Sequence, residues 1–461
     1  MRNARLRRSK VKKLISFSSI ILMTLLPLAI MFSIGCGCDS SPATIVASIA
    51  GDGSDGAIIT YEIDRSYGDQ DICIQRIGAE GDTLWNNVVF TSKNNRSSIT
   101  GMTDDGKGNA IIIWTVLTPE NGEEGCHRFD HATIAKVDAQ GQTLWQKDIY
   151  EEGTRVINDS SGGAIIIWPT KEGFCAQRIG ADGNPLWEKC LGGSGHGLKL
   201  ASDDMGGALI LRDNRDNPYF VAQKLDADGQ ILWAQEGMPE GIRIKYIEGS
   251  FEQQPQIVSD GSGGAIITWA EVASEGMPCY IWVLKIGADG GVLWYDPVRE
   301  LTVRVHPLTR VVSAGSGGAV VVWEDHRQGM ALYAQKVNPE GEAQWQENGL
   351  PVCVDLPRVS PRFDAVSNGL EGAIVVWGDG DQNLYAQKID AVGMRQWGTD
   401  GILIAIGVCD LPSEISPDDR GGVLLGWTTG REVHHPEQSY IQRIGPYGKL
   451  LWGGERIRLN P

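Results

Sequence analysis

One pattern recurs eight times along this chain of 461 residues. Its first half reads Gly-Ala-Ile-Ile-x-Trp in the copy from Gly264 to Trp269. Copies follow one another at about 52 residues, a period typical of propeller blades. The recurring alanine, replaced once by valine, lies at Ala57, Ala110, Ala164, Ala208, Ala265, Ala319, Ala373 and Val423.

The second half of each copy is stricter, because a glycine always follows a basic residue by five positions and a tryptophan follows that glycine by four. This fixed spacing indicates that the tryptophans pack one repeat against the next. It favours that role over a row of aromatic rings that stack on a ligand. The predicted blade-docking tryptophans are Trp85, Trp145, Trp187, Trp233, Trp294, Trp345, Trp397 and Trp452. The recurring lysines and arginines are expected to be solvated strand positions whose stems cover apolar surface.

Each copy supplies four short strands, A to D. Residues 257–259 and 265–267 read as two strands joined by a tight turn, and Tyr333 to Val337 alternates in polarity like a half-buried strand. Residues 338–341 have turn chemistry, and Trp345 is expected on the returning strand. The sequence therefore predicts an all-β, eight-bladed β-propeller of four-stranded antiparallel blades. A linear β-array is the alternative; ring closure is expected from the blade count, with no strand exchanged between the ends.

The predicted organisation leaves no room for a second domain. Residues 1–35 form a signal peptide or membrane anchor, residues 36–44 a linker, and residues 45–461 the propeller. The predicted blades span approximately residues 45–96, 97–150, 151–194, 195–248, 249–305, 306–356, 357–410 and 411–461.

The N-terminus is a basic run followed by 21 uncharged residues from Leu14 to Ile34, which reads as a secretory signal. The following Gly35-Cys36 resembles a bacterial lipoprotein cleavage box, in which Cys36 becomes the lipidated first residue of the mature chain. Ser33 departs from that box, which prefers leucine at this position. An uncleaved signal anchor stays open, since 21 apolar residues span a bilayer. Both interpretations tether the body to the extracytoplasmic face of a cell membrane.

Residues 317–327 and 332–337 resemble a repeat found in secreted bacterial proteins and lipoproteins of largely unknown function, which implies an envelope location rather than an activity. The Gly-x3-Trp half also resembles the tryptophan-docking motif of quinoprotein dehydrogenases and outer-membrane assembly lipoproteins, both eight-bladed. The chain departs from that motif, because Asp226 to Gly229 is one residue short and the threonine before the glycine is missing. The adjacent cysteine pair of quinoproteins is missing too, and we expect no cofactor.

The charge of the chain excludes one class of partner. The formal net charge is −17, and the first 35 residues carry seven basic residues and no acidic one, which leaves −24 on the remainder. So acidic a body repels phosphate backbones, and nucleic acid is not an expected partner.

Copies differ most between the tryptophan position of strand B and the basic residue of strand C. Trp168 to Arg178 spans 10 residues, whereas Trp114 to Lys136 spans 22. All seven histidines lie in the B–C and D–A connections, which share one face of a propeller. Variable loops on a rigid scaffold are where binding usually resides.

The sharpest cluster on that face places a cysteine, two histidines and an aspartate within six residues. Its spacing matches no standard metal motif, so we expect ligand contact there and no metal site. The candidate ligand-binding residues are Cys126, His127, Asp130, His131, His326, His434 and His435. Among the nine cysteines, Cys353 and Cys409 follow the strand-D tryptophans of neighbouring copies, which leaves pairing between adjacent blades open.

These observations predict a non-enzymatic binding or scaffolding module whose variable loops contact an envelope protein or polysaccharide. No catalytic residues are identified from the sequence. Two alternatives stay open. One is a quinone- or metal-dependent oxidoreductase, or a polysaccharide-active enzyme, with its site at the central channel. The other is an envelope-assembly lipoprotein, which rests on analogy of fold alone.

Overall fold

The computed structural model places every described residue in one unit, Asp39–Pro461. It describes residues 43–65, 69–93, 95–105, 107–119, 127–149, 151–193, 197–214, 219–234, 241–245, 251–252, 255–272, 279–301, 308–327, 329–356, 362–430, 436–453 and 456–459. The predicted signal or anchor lies outside these residues, as does all but the last part of the linker. Within the described ranges no helix is long and apolar enough to cross a membrane.

The chain folds into eight antiparallel sheets in succession, which are the blades of a β-propeller. Blade 1 comprises β1 (Ala43–Gly51), β2 (Ala57–Asp64), β3 (Gln70–Ile77) and β4 (Thr83–Ser92). Blade 2 comprises β5 (Arg96–Asp104), β6 (Ala110–Pro119), β7 (His127–Val137) and β8 (Thr143–Ile149). Blade 3 comprises β9 (Arg155–Asn158), β10 (Ala164–Thr170), β11 (Gly173–Ile179) and β12 (Pro185–Gly192). Blade 4 comprises β13 (Lys199–Ser202), β14 (Ala208–Asn214), β15 (Tyr219–Leu225) and β16 (Ile242–Lys245).

The second half of the chain repeats this plan. Blade 5 comprises β17 (Phe251–Glu252), β18 (Gln256–Ser259), β19 (Ala265–Val272), β20 (Cys279–Ile286) and β21 (Val292–Leu301). Blade 6 comprises β22 (Thr309–Ser313), β23 (Ala319–Asp325), β24 (Met330–Val337) and β25 (Leu350–Leu356). Blade 7 comprises β26 (Phe363–Ser367), β27 (Ala373–Gly378), β28 (Asn383–Ile389) and β29 (Ile402–Ile406). Blade 8 comprises β30 (Val408–Pro417), β31 (Val423–Gly430), β32 (Pro436–Ile444) and β33 (Ile457–Arg458).

Every sheet is built from strands that follow one another in the chain, so the prediction that no strand is exchanged between the ends is confirmed. Blade 5 differs only in that its strand A is divided into β17 and β18, which both pair with β19.

The ring closes by packing. Strand A of each blade contacts strand A of the next, and the series ends with β30 of blade 8 against β1 of blade 1. Eight hydrophobic clusters hold the core, and each one spans two adjacent blades. The closing cluster joins Val46 and Ile49 of blade 1 to Leu424 and Trp452 of blade 8. These contacts exclude the linear array.

In seven of the eight blades an aspartate or asparagine side chain holds the A–B turn, and blade 6 has Ala314 at that position. In blade 5, Asp260 Oδ1 accepts the backbone N–H groups of Ser262 and Gly264, each at 2.8 Å. This is the local bonding by which aspartate favours turns over regular strands. The A–B and C–D turns lie together on one face of the ring, and the B–C and D–A connections lie on the other.

Two local expectations were wrong. Residues 333–337 do not alternate between buried and exposed side chains. Neighbouring blades cover both faces of β24, so each of these side chains is buried. Trp345 lies before β25 and not on it. There Gln335 Oε1 accepts the backbone N–H of Trp345 at 2.9 Å, so an amide side chain replaces a strand-to-strand bond.

Candidate functional site

The recurring tryptophans lie at the eight junctions between blades. At each junction the indole ring of one blade covers the glycine of the next blade's C–D turn, as Trp187 covers Gly229. A carbonyl two residues before that glycine accepts the indole N–H, at 2.8 Å from Trp187 to Ala227. The bonded pairs are Trp85 with Ala139, Trp145 with Ala181, Trp187 with Ala227, Trp233 with Ala288, Trp294 with Pro339, Trp345 with Ala391 and Trp397 with Pro446.

The closing junction departs from this scheme. Trp452 covers Gly81 of blade 1, but its Nε1 has no acceptor among the described residues. Other bonds join the two ends: Ser439 Oγ donates to the carbonyl of Thr44, and Arg443 donates to that of Asp55.

The recurring basic residues are not solvated, which corrects the expectation from the sequence. Lys224 is only 3% exposed, and its Nζ lies 3.2 Å from Oδ2 of Asp203 in the A–B turn of its own blade. The same Nζ donates to the carbonyl of Gly263 in the next blade at 2.6 Å. Neighbouring blades cover both faces of strand C, so a charged group there needs a buried partner. Equivalent ion pairs join Arg76 to Asp52, Lys136 to Asp105, Arg178 to Asp159, Lys285 to Asp260 and Arg443 to Asp418.

These contacts also account for the aspartate-rich turns. The carboxylate that accepts backbone N–H groups in the turn is the one that pairs with the basic residue. The repeated polar and aromatic residues are thus occupied within and between blades, and a ligand site has to be sought at positions that do not repeat.

The predicted lipidation and ligand-binding residues fall into three groups. Cys36, Cys126, His434 and His435 lie outside the described residues. His127, Asp130 and His131 all lie on β7 of blade 2, and His326 directly follows β23 in blade 6.

His131 lies close to two carboxylates. Its Nδ1 lies 2.8 Å from Oδ2 of Asp130, and its Nε2 lies 4.0 Å from Oδ1 of Asp148. His127 is four residues away along the strand, about 13 Å at a strand's rise per residue. The two imidazoles therefore cannot bind one ion directly. In the described ranges no group of three or more metal-binding side chains comes together.

His326 belongs to a separate cluster. Its Nε2 lies 2.6 Å from Oε1 of the buried Glu324. Arg327 pairs with Asp325 and covers the ring of Tyr333 at 3.9 Å. Blades 2 and 6 are four apart in a ring of eight, so the structure places His131 and His326 on opposite sides and does not bring the predicted histidines together.

A different set of residues lies at the mouth of the channel. In every blade the residue nine positions before the recurring alanine or valine occupies the same register on strand A, opposite the fourth residue of strand B. In blades 3 to 7 this position is the first or second residue of the strand that carries it, on the variable-loop side, whereas in blades 1, 2 and 8 strand A begins five or six residues earlier. We call these eight residues the mouth ring: Ser48, Gly101, Arg155, Lys199, Gln256, Arg310, Asp364 and Glu414.

Five of the eight members of the mouth ring belong to charged residue types. Arg310 Nε lies 2.9 Å from Oδ1 of Asp364 in the next blade, with 30% and 43% of the two side chains exposed. Burial, with the nearby charges of Arg155 and Arg310, lowers the pKa of Lys199. Burial, with the charge of Asp364, raises the pKa of Glu414 to about 8. The ring thus carries basic residues in blades 3, 4 and 6 and acidic residues in blades 7 and 8, and Arg310 and Asp364 are neighbours across the junction of blades 6 and 7.

Sequence reasoning missed this ring because strand A carries the least regular part of the repeat. The sequence signal for the ring is that each member lies nine residues before the recurring alanine or valine, as Arg155 lies before Ala164 and Glu414 before Val423. A search at that offset would have found five charged residues in blades 3 to 8.

Two of the described cysteines pair within one blade. Cys175 of β11 and Cys190 of β12 form a disulfide between adjacent strands. Cys353 is a free, buried thiol, so its pairing with Cys409 is excluded. Cys73 and Cys279 are also free and buried.

No family model and no curated protein matches this chain. Among solved structures it is similar to a eukaryotic initiation factor, with a TM-score of 0.48 and 9% identity over 92% of this chain and 90% of that one. It is also similar to the β-propeller domain of the Trilobed protease from Pyrococcus furiosus (TM-score 0.44, 9% identity, 79% of this chain and 96% of that one). A protein of unknown function from Bacteroides caccae has a TM-score of 0.29 and 16% identity over 55% of this chain and 82% of that one. At such values these similarities carry no functional argument.

Proposed function

We propose that this chain is a membrane-tethered, extracytoplasmic binding or scaffolding propeller that contacts an envelope protein or polysaccharide through its variable-loop face. One observation carries the proposal. The repeated residues are occupied by contacts within and between blades, whereas the charged residues that differ from blade to blade open on the variable-loop side. A rigid scaffold that varies on a single face suits recognition.

The extracytoplasmic location has support of its own. The Cys175–Cys190 disulfide suits an oxidising compartment. The basic, apolar N-terminus with Cys36 supports a lipid tether. Substitution of Cys36→Ala tests it: a lipoprotein loses its lipid and accumulates as the larger precursor, whereas membrane partition at unchanged size contradicts lipidation.

The binding face is tested by photo-crosslinking of the full chain in its membrane. A photoreactive residue at Asp381, in the B–C turn of blade 7, samples the variable-loop face. Val392, 76% exposed in the C–D turn of the same blade, is the matched position on the other face. We expect a discrete envelope adduct from Asp381 and none from Val392. Equal labelling at both positions, or none at either, would contradict the proposal.

A polysaccharide-active enzyme is the second candidate, and the mouth ring supplies the observation that favours it. Asp364 and Glu414 are adjacent members of the ring, one held by Arg310 and the other with a raised pKa. Glycoside hydrolysis uses two carboxyl groups kept in different protonation states. Release of reducing ends from an envelope glycan by the wild type but not by Glu414→Gln would establish this activity.

A further inference from the structure

A row of aromatic rings in blade 5 ends in an exposed tyrosine. Trp269, Trp282 and Tyr295 stack across β19, β20 and β21, with ring centroids 6.1 Å and 5.6 Å apart and planes inclined by 16° and 27°. Tyr280 contacts Trp282 at 5.9 Å. Trp269 is buried, whereas Tyr295 is 58% exposed. We call Tyr280, Trp282 and Tyr295 the blade 5 aromatic face.

These rings lie at positions that do not repeat along the chain. Tyr295 directly follows the docking residue Trp294, and no other copy has an aromatic residue after its docking tryptophan. The residues there are Asn86, Gln146, Glu188, Ala234, Gln346, Gly398 and Gly453. Tyr280 is the second residue of its strand C, which begins at the end of a B–C connection. The blade 5 aromatic face therefore borders the variable-loop side.

In blades 6 and 8 the comparable pair of rings is completed by an arginine of the chain itself. The strand-B tryptophan stacks on a strand-C tyrosine in both blades. Arg327 Cζ lies 3.9 Å from the ring centroid of Tyr333, and Arg456 Cζ lies 3.9 Å from that of Tyr440. A guanidinium is attracted to the negative face of an aromatic ring and stacks on it through its flat surface.

Blade 5 does not supply such a cation itself. Among the residues that the structure describes, no arginine or lysine side chain lies over the rings of Tyr280, Trp282 or Tyr295. Tyr385 of blade 7 has none either, but that ring is half-buried and no strand-D aromatic residue extends its stack. Clustered exposed apolar surface marks interaction sites more often than single exposed residues do.

We infer that the blade 5 aromatic face binds an arginine side chain of a protein partner. The inference rests on the proposed function, and it selects a protein rather than a polysaccharide as the partner. The bound guanidinium stacks on the exposed ring of Tyr295, as Arg327 stacks on Tyr333 in blade 6. The formal net charge of −17 attracts a basic segment to the propeller. A pyranose ring also stacks on tyrosine, but it gains nothing from that charge.

Binding is measured by titration calorimetry of the full chain in detergent, at about 150 mM salt to screen distant charges. The probe is a blocked peptide of three Gly-Arg repeats. The same peptide with citrulline keeps the shape and removes the charge, and a chitin oligosaccharide is the sugar probe. We expect the arginine peptide to bind more tightly than the other two. Equal binding of the citrulline peptide, or binding of the sugar alone, overturns the inference.

Tyr295→Leu is the decisive variant, with Tyr447→Leu as its control. The substitution keeps apolar surface at an exposed position but removes the ring, and Tyr447 is 93% exposed in the C–D turn of blade 8. We expect affinity for the arginine peptide to fall at least about threefold in the first variant and to stay unchanged in the second. Tyr295→Trp should strengthen binding, because indole attracts cations best. An unchanged affinity in Tyr295→Leu, or an equal loss in Tyr447→Leu, overturns the inference.

The outcome is separable from that of the proposed function. The Asp381 photo-crosslink is repeated in the Tyr295→Leu variant and with an excess of the arginine peptide. An adduct that persists while the wild type does not bind the peptide refutes the aromatic site and leaves the binding face intact. Peptide binding that depends on Tyr295, without any adduct from Asp381, supports the site and counts against the proposed contact through the variable loops.

Discussion

At the residue scale, an indole nitrogen distinguishes the closing junction from the others. Trp233 and Trp452 are both buried, at 1% and 3% exposure, and both cover a glycine of the next blade. Only Trp233 donates its N–H, at 3.1 Å to Ala288. A buried donor left without an acceptor costs free energy that a bonded one does not.

Trp233→Phe should therefore destabilise the protein more than Trp452→Phe, by about 1 kcal/mol. Both substitutions remove a similar volume from a similar environment, so the difference isolates the hydrogen bond. The measurement is the midpoint of guanidinium unfolding for each variant. A larger loss for Trp452→Phe would show that the closing indole has an acceptor.

Glu414 links stability to pH. Its pKa is raised to about 8 in the folded chain, above the ordinary value of 4.5. Between those values the folded state retains a proton that the unfolded state releases, so this contribution is complete below pH 4.5 and is lost as pH rises toward 8. Burial raises the pKa of Glu62 to about 7, which acts in the same direction.

We expect the Tm to fall between pH 5 and pH 8, and Glu414→Gln to reduce that fall by the equivalent of a few kcal/mol. Glu62→Gln should reduce the fall of the Tm in the lower part of the same pH range. Thermal melts at half-unit steps of pH measure both effects. If Glu414→Gln leaves the pH dependence of the Tm unchanged, the pKa of Glu414 in the folded chain lies near its ordinary value.

At the element scale, the C–D turn is both a turn and a docking surface. Gly229 has φ +75°, and a Cβ placed on it would lie 2.7 Å from Cδ2 of Trp187. Gly261, in an A–B turn, has φ +72° with nothing within 4 Å of the same position. The two glycines share a left-handed backbone conformation, and only Gly229 has an aromatic ring beside it.

Gly261→Ala should cost about 1 kcal/mol, from the left-handed backbone alone. Gly229→Ala should cost about 3 kcal/mol or more, because the indole must also move. Unfolding midpoints of the two variants give the comparison. Similar losses of stability in the two variants would mean that the indole moves aside at little cost. The glycine of the C–D turn would then be required only for its backbone conformation.

At the scale of the whole molecule, the ring is closed by packing, and its ends are adjacent. Leu459 N donates to the carbonyl of Ser439, whose hydroxyl donates to the carbonyl of Thr44. Every sheet is contiguous in sequence, so opening the chain between blades breaks no sheet.

A circular permutant that joins Leu459 to Thr44 through a short linker and opens between blades 4 and 5 should therefore fold. We expect a monomer whose Tm lies within about 5 °C of the parent propeller. Removal of residues 407–461 is the contrasting variant, because it exposes two blade interfaces and should aggregate. A permutant that melts as early as this truncated chain would show that closure needs the natural ends.

The number of blades, the contiguity of each sheet and the tight turns followed from the sequence alone, because they depend on spacings within a single copy. Gly229 and Trp187 belong to different copies, yet their fixed spacings already indicated packing between blades. The burial of Lys224, the fully covered β24 and the mouth ring around Arg310 and Asp364 were decided only by the tertiary structure. Each of them depends on which residues two neighbouring blades bring together. The strand periodicity within one copy does not predict contacts between copies.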